Sequence, residues 1–128
     1  MRIGQDDHFL SIESVPLAGG FAACRVEAVA SAAGRKFTAS HDRLMLDSSD
    51  ATIQRFAEFE SHMSEQIEIP LTESGWLRLQ RDAKGYIVVR YRIAGWKASA
   101  AMEGELTVEG EFAGGFCRQF GALLRGQK

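Results

Sequence analysis

No apolar stretch in this chain approaches the roughly 20 residues that a membrane-spanning helix needs, so we expect no membrane association. Near its start, Asp6 and Asp7 stand where a secretory signal would need its apolar core, which predicts a bacterial-type cytoplasmic location. Only two cysteines occur, Cys24 and Cys117, both among apolar neighbours. We therefore expect two buried, reduced thiols rather than a disulfide.

Catalytic and cofactor motifs are also lacking. The sequence contains no G-x-S-x-G turn, no Walker-type loop and no dinucleotide fingerprint, so we expect neither a catalytic site nor a cofactor. The stretch 6–8, Asp-Asp-His, has no second ligand pair at zinc-site spacing, so no metal site is expected. His41 and Asp42 are adjacent on a predicted strand, where their side chains point to opposite faces and cannot form a dyad.

The chain has no excess of positive charge. Its formal net charge is −2, which argues against a nucleic-acid partner because phosphate binding needs a clustered basic surface. The charges are nevertheless unevenly distributed. Residues 47–73 carry seven acidic side chains and one arginine, Arg55, whereas residues 74–102 carry six basic side chains and one acidic, Asp82. This local separation of charge is the clearest functional signal in the sequence.

The first half of the chain is dominated by strand patterns. HFLSIESV (8–15) predicts a first strand preceded by a solvated lead-in, although its register is not defined by a clean alternation. FAACRVEAVAS (21–31) and RKFTASHDRLML (35–46) predict a pair of strands joined by a turn at 31–34. In the first of these, alternation places Ala22, Cys24, Val26 and Ala28 inward.

Two segments show helical spacing. DSSDATIQRFAEFESHM predicts a helix over 48–63, with an apolar side formed by Ile53, Phe56, Ala57, Glu60 and Met63. Residues 111–124 predict a second helix, with an apolar stripe formed by Phe112, Phe116, Phe120, Leu123 and Leu124. Between them, Pro70 in IEIPL predicts a short edge strand or an extended connection.

The remaining segments predict a meander. A hairpin of GWLRLQR (75–81) and YIVVRYRI (86–93) would align Leu79 with Ile87 and place Trp76 beside Arg90. A two-residue turn at 94–95 would then pair Ile87 with Met102. In the last strand, alternation turns a group of side chains inward, namely Met102, Leu106 and Val108, and leaves Glu103 and Glu105 in solvent.

These elements predict a single α+β domain over residues 1–128. We expect a curved, mostly antiparallel sheet of about six strands, with two helices packed on its apolar face. The acidic run EGELTVEGEFAGGF (103–116) is then explained by a solvated strand face and by carboxylates near a helix start, which complement the helix dipole.

The element order resembles that of small bacterial immunity proteins of the WapI type. The resembling stretches are LMLDSSDATIQRFAEFE, GWLRLQRDAKGYIVVRYRI and GWKASAAMEGELTVEGEFAGGFCRQFGALL, which cover about the C-terminal two thirds of the chain. A tryptophan-rich segment that usually follows the first helix is replaced here by SHMSEQIEIP. The resemblance implies a protein that neutralises a toxin delivered by a neighbouring cell, and it assigns no particular residue.

We therefore expect a non-enzymatic binding protein whose partner is a cognate protein toxin. The acidic segment would be its contact surface, with Asp50, Glu58, Glu65 and Glu68 facing a basic partner. Pairing of these carboxylates with the arginines of the chain's own hairpin is the competing interpretation. Two other functions remain open, namely a ligand-binding or enzymatic domain with a cavity between sheet and helices, and a subunit of a structural homodimer or larger homo-oligomer.

Overall fold

The computed structural model describes residues 1–15, 22–94 and 100–126. Four strands and a helix are followed by four more strands and a second helix, with a short 3-10 turn at Thr72–Ser74. The strands are β1 Arg2–Gln5, β2 His8–Ser14, β3 Ala22–Ala32, β4 Arg35–Leu46, β5 Gln66–Pro70, β6 Trp76–Arg81, β7 Ile87–Ala94 and β8 Ala101–Val108; the helices are α1 Asp50–Glu60 and α2 Gly110–Leu124. No helix in the described ranges is long and apolar enough to cross a membrane.

The eight strands form two antiparallel sheets of four, β1–β4 and β5–β8, each a meander in chain order. The predicted α+β class and antiparallel pairing are confirmed, but the prediction of one curved sheet of about six strands is wrong. Helix α1 separates β4 from β5, and Leu46 meets Leu71 only as an isolated bridge. The hydrogen-bonded ladder of the first sheet therefore does not continue into the second.

Strand β1 is absent from the sequence prediction, which treats the first seven residues as a lead-in. Ile3 pairs with Leu10 of β2 and is buried, and residues 6–7 form the turn between the two strands. Gly4 has a φ of +103°, and a Cβ there would lie 2.3 Å from the carbonyl oxygen of His8. Only glycine fits this backbone conformation. The first seven residues are therefore part of a hairpin, with Asp6 and Asp7 in its turn.

Both sheets and both helices contribute to one hydrophobic core. Inward-facing side chains of every strand join the buried sides of α1 and α2 in a single cluster. Aromatic rings link the helices, because the ring of Phe120 lies 5.3 Å from that of Phe56 and 5.8 Å from that of Phe116. Each such ring contributes about 1.5–3 kcal/mol through burial, so the two halves of the chain stabilise each other.

Side chains at its start determine where α1 begins. Ser49 is the N-cap, and its hydroxyl accepts a hydrogen bond from the backbone N–H of Thr52. The carboxylate of Asp47 accepts from the Ser49 N–H at 3.0 Å and from the Thr52 hydroxyl at 2.8 Å. These hydrogen bonds lower the pKa of Asp47 below its ordinary value. The sequence prediction of a capped helix is confirmed.

The predicted apolar side of α1 is only partly correct. Phe56 is buried as expected, but the other fully buried positions are Thr52 and Phe59, and Ala57 is exposed. The helix ends at Glu60, three residues before the predicted end. Met63 thus lies beyond the last turn, and 79% of its surface is exposed.

The second sheet keeps the predicted faces but not the predicted registers. Leu79 pairs with Val89 instead of Ile87, and Trp76 lies opposite Arg92 instead of Arg90. The connecting loop contains two more residues than the predicted register implies. Arg81 pairs with Ile87, and the backbone N–H of Asp82 donates to the carbonyl of residue 86. A shift of two residues leaves every side chain on its original face, so the core prediction survives.

Pairing of β7 with β8 differs more from the prediction. Ile87 pairs with Val108, and Met102 pairs with Ile93. The predicted two-residue turn includes Gly95, which lies outside the described residues. Since Ala94 pairs with Ala101, the chain between them is too long for that turn. The inward and outward positions of β8 agree with the predicted alternation.

In α2, the predicted stripe is confirmed at its C-terminal end and wrong at its start. Phe116, Phe120, Leu123 and Leu124 are buried, whereas Phe112 is 60% exposed. The buried residue in the first turn of the helix is Ala113 and not Phe112. The helix begins at Gly110, and its buried side runs from Ala113 to Leu124.

Candidate protein-binding surface

A charged row crosses the outer face of the second sheet. Cross-strand pairing aligns Glu68, Arg78, Arg90 and Glu105, one from each of β5 to β8. The two arginines face each other directly, which is unfavourable for like charges. Each is instead paired with the glutamate on its outer side, Arg78 with Glu68 and Arg90 with Glu105.

The neighbouring row of side chains on the same face contains a third ion pair. Arg92 of β7 donates to the carboxylate of Glu103 of β8 at 3.0 Å. The Trp76 ring lies on the same face, and the guanidinium carbon of Arg78 is 3.8 Å from its centroid. The predicted contact of this tryptophan with Arg90 is thus wrong, because the register brings Arg92 opposite it and Arg78 over it.

The ion pairs show how far the chain neutralises its own acidic segment. The basic strands find two of their three partners in β8, at Glu103 and Glu105, outside residues 47–73. Glu68 is the one predicted contact residue that is paired, with Arg78. Within the described residues, Asp50, Glu58 and Glu65 form no ion pair. Internal ion pairing therefore applies to Glu68 and leaves the other three carboxylates without an ion-pair partner among the described residues.

A groove of about 460 Å³ runs beside β5, between the side of α1 and the outer face of the sheet. It brings together two of the predicted residues, Glu58 and Glu68, while Asp50 at the start of α1 and Glu65 before β5 lie outside its lining. The groove also contains three cationic side chains, Arg55, Arg78 and Arg90. It is a mixed-charge groove and not the purely acidic surface that the sequence predicts.

Arg55 was not singled out by sequence reasoning, yet it organises this edge. Its guanidinium donates to the backbone carbonyl of Glu68 at 3.4 Å and to the Thr52 hydroxyl at 3.1 Å. Its position as the lone basic residue in the acidic segment was the available signal. At the opposite edge of the sheet, the His8 ring lies 3.1 Å from the carbonyl oxygen of Glu105. One backbone carbonyl on each edge strand, β5 and β8, thus lies within hydrogen-bond distance of a side chain.

Met63 was predicted on the apolar side of α1 but is exposed beyond the end of that helix. Its backbone N–H donates to the Glu58 carbonyl at 2.9 Å, which folds the chain back at the end of α1. The exposed Met63 side chain is therefore anchored through its backbone to Glu58, and Glu65 follows two residues later in the sequence. Met63 thus offers an exposed apolar side chain beside the acidic segment.

Other candidate chemistry from the sequence is not assembled by the fold. No group of three His, Cys, Asp or Glu side chains within the described ranges could hold a metal ion. The His41 ring accepts from the Arg43 backbone N–H at 3.2 Å and so serves its own strand. Both cysteines are free and buried; burial raises the pKa of Cys24 to about 11 and also raises the pKa of Cys117.

Comparisons with models of known protein families, with characterised proteins and with solved structures gave no significant match. The functional argument therefore depends on the surface itself.

Proposed function

We propose that this protein is a non-enzymatic inhibitor, an immunity protein that binds a basic protein toxin and covers its active surface. The observation that carries the proposal is a set of carboxylates around α1 that form no ion pair within the described chain, namely Asp50, Glu58 and Glu65. A toxin that acts on nucleic acid needs a basic cleft, and an acidic inhibitor associates with such a cleft faster through electrostatic steering.

The contact surface would combine this charge with an apolar anchor. Met63 is the most exposed large apolar side chain of the described chain, and it lies between Glu58 and Glu65 in sequence. Burial of an exposed side chain of this size against a partner contributes about 1.5–3 kcal/mol, more than the ~1 kcal/mol of a typical exposed ion pair. The carboxylates would thus set the association rate, and Met63 would slow dissociation.

The ion pair of Glu68 with Arg78 would also help to select the partner. The pair is half-exposed on both sides and contributes at most about 1 kcal/mol, so a partner can replace it at little cost. A basic side chain of the toxin would take Glu68, and a carboxylate of the toxin would take Arg78. This exchange would favour a partner that carries both charges at matching positions.

The test is co-expression with the candidate toxin encoded beside this gene. The native chain should rescue growth and co-purify with the toxin. A triple reversal, Asp50→Lys with Glu58→Lys and Glu65→Lys, should fold, associate more slowly and lose most of its salt dependence.

A matched control reverses three exposed carboxylates of the first sheet and its edge, Glu13→Lys with Glu27→Lys and Asp42→Lys, which gives the same change in net charge. Failure of the native chain to rescue or bind would overturn the function. Equal binding by both triple variants would overturn the surface and leave the function standing.

A further inference from the structure

A second cavity, of about 370 Å³, lies on the other side of the helix pair. It is bounded by the first half of α2, by the residues that end α1, and by the loop between β6 and β7. Its charged or titratable lining side chains are Arg81, Arg118, His62, Glu60 and the buried thiol Cys117. Two guanidinium groups thus face one carboxylate, so the lining carries a positive balance.

Arg81 is the unusual member of this lining. Strand alternation places it on the inner face of β6, after Leu77 and Leu79. Its guanidinium carbon lies 4.7 Å from the Phe59 ring centroid, and one terminal nitrogen donates to the Phe59 carbonyl at 3.2 Å. The Nε atom is shielded from solvent and has no hydrogen-bond partner.

Among the arginines of the second sheet, Arg81 also lacks a counter-charge. Arg78, Arg90 and Arg92 each pair with a glutamate on a neighbouring strand. No carboxylate of the described chain lies within ion-pair distance of Arg81. A half-buried guanidinium without a carboxylate is costly, and an anion bound in the adjoining cavity would offset that cost.

The opposite wall of the cavity is made by the smallest side chains. Gly110, Ala113 and Gly114 follow one another along one side of α2 at helical spacing, and Arg118 extends the same side by one turn. Short side chains leave space between the two arginines. The forked geometry of guanidinium groups matches the oxygens of phosphate, which accept two parallel hydrogen bonds.

We propose that this cavity binds a phosphate group, held between Arg81 and Arg118. Contacts with Phe59 hold Arg81 in place without any ligand, and Arg118 lies exposed on the wall formed by α2. The site uses none of the carboxylates assigned to toxin binding, and it stands or falls separately from that function.

The test is a titration of ¹⁵N-labelled protein with inorganic phosphate at pH 7, followed by NMR at constant ionic strength set with chloride. The expected result is a saturable shift of the Arg81 Nε–H signal and of backbone amides in the first half of α2. Alkylation of Cys117, which lines the cavity, should slow as phosphate saturates the site.

The informative variant is Arg118→Gln, because Arg118 is exposed and its loss should leave folding intact. Loss of a charged hydrogen-bond donor should weaken phosphate binding about tenfold. Arg125→Gln, an exposed arginine at the end of the same helix, is the matched control and should bind as the native chain does. Shifts that do not saturate, or equal affinities in the two variants, would overturn the proposal.

Discussion

The two halves of the chain follow one element order, four antiparallel strands and then a helix, yet they treat their outer surfaces differently. In the second sheet, three ion pairs cover the outer face. In the first sheet, Phe9 pairs with Val29 outside the main core cluster, and both are buried. The Arg2 guanidinium carbon lies 3.6 Å from the Phe9 ring centroid and covers it. One sheet is charged on its outer face, and the other hides apolar residues beneath an arginine.

The two helices differ in a similar way. Helix α1 begins with a side-chain N-cap, Ser49, supported by Asp47. Helix α2 begins at Gly110, and the side chain of its N-cap residue, Glu109, makes no capping hydrogen bond. In α2 the buried residues include two phenylalanines and two leucines, whereas α1 buries two phenylalanines and a threonine. Local hydrogen bonds therefore matter more to α1, and apolar burial matters more to α2.

The largest loss of stability is expected when the aromatic ring that contacts both helices is removed. Phe120→Ala deletes a side chain that is 1% exposed and contacts rings on both helices, so it should cost about 3–5 kcal/mol of unfolding free energy. Urea denaturation measures the loss. Phe112→Ala, on the exposed side of the same helix, should change stability by less than about 0.5 kcal/mol. Similar losses for the two variants would contradict the packing described.

A smaller effect is expected where β8 passes beneath Tyr91. A Cβ on Gly104 would lie 2.2 Å from the Tyr91 hydroxyl oxygen, so Gly104→Ala should destabilise the protein by about 1–3 kcal/mol through overpacking. The hydroxyl is buried without a hydrogen-bond partner. Tyr91→Phe should therefore leave stability unchanged or raise it in thermal unfolding, and a clear loss would reveal a partner for the hydroxyl.

The capping difference predicts a pH-dependent effect confined to α1. The pKa of Asp47 is lowered in the folded state, so its stabilisation is present above the ordinary aspartate pKa and is lost as the pH falls through the folded value. Asp47→Asn should cost about 1 kcal/mol near neutral pH, because the Ser49 N–H and the Thr52 hydroxyl donate to different carboxylate oxygens and an amide has only one acceptor oxygen. The native and variant stabilities should converge at acidic pH.

Helix α2 supplies the control for that experiment. Glu109→Ser installs a side-chain acceptor at an uncapped N-terminus and should stabilise the protein by about 0.5–1 kcal/mol near neutral pH. A stabilisation that is absent from Glu109→Ala would assign the gain to the cap. If Glu109→Ser and Glu109→Ala behave alike, the start of α2 does not need a cap.

The smallest expected effect concerns the charged outer face. Glu105→Gln removes the partner of Arg90 from a half-exposed pair and should cost at most about 1 kcal/mol, with a difference that shrinks in high salt. Chemical denaturation at low and high salt measures it. A loss that is large and independent of salt would show that the pair does more than neutralise a surface charge.

The contrast between the halves also explains what the sequence could predict. In the second sheet, buried and exposed positions alternate strictly along β5 and β6, so inward residues such as Leu77 and Leu79 were assigned correctly despite wrong registers. In the first sheet, consecutive residues Phe9 and Leu10 are both buried, which obscures the alternation of β2. The number of sheets was not predictable, because alternation reports which face is buried and not which strand lies beside which.

For the candidate surface, the sequence indicated which carboxylates to consider but not which arginines lie beside them. Sequence charge identified Asp50, Glu58, Glu65 and Glu68, and the fold places Glu58 and Glu68 in one groove. The partners of Arg90 and Arg92 come from β8, because strand neighbours depend on register. Met63 was missed because three residues of helix were predicted that the chain does not form.

The two occupied edges of the second sheet have a consequence for how recognition can change over time. Arg55 holds an outward carbonyl on β5, and His8 lies at one on β8, so a partner that adds a strand at either place must first displace a side chain. Under the proposed function, recognition by the second sheet would therefore use its outer face, where side chains alone determine the fit, because the inner face is buried in the core. If the proposed function is correct, substitutions at exposed positions of that face, such as Glu68 and Glu105, would change which partner binds while the buried residues keep the fold.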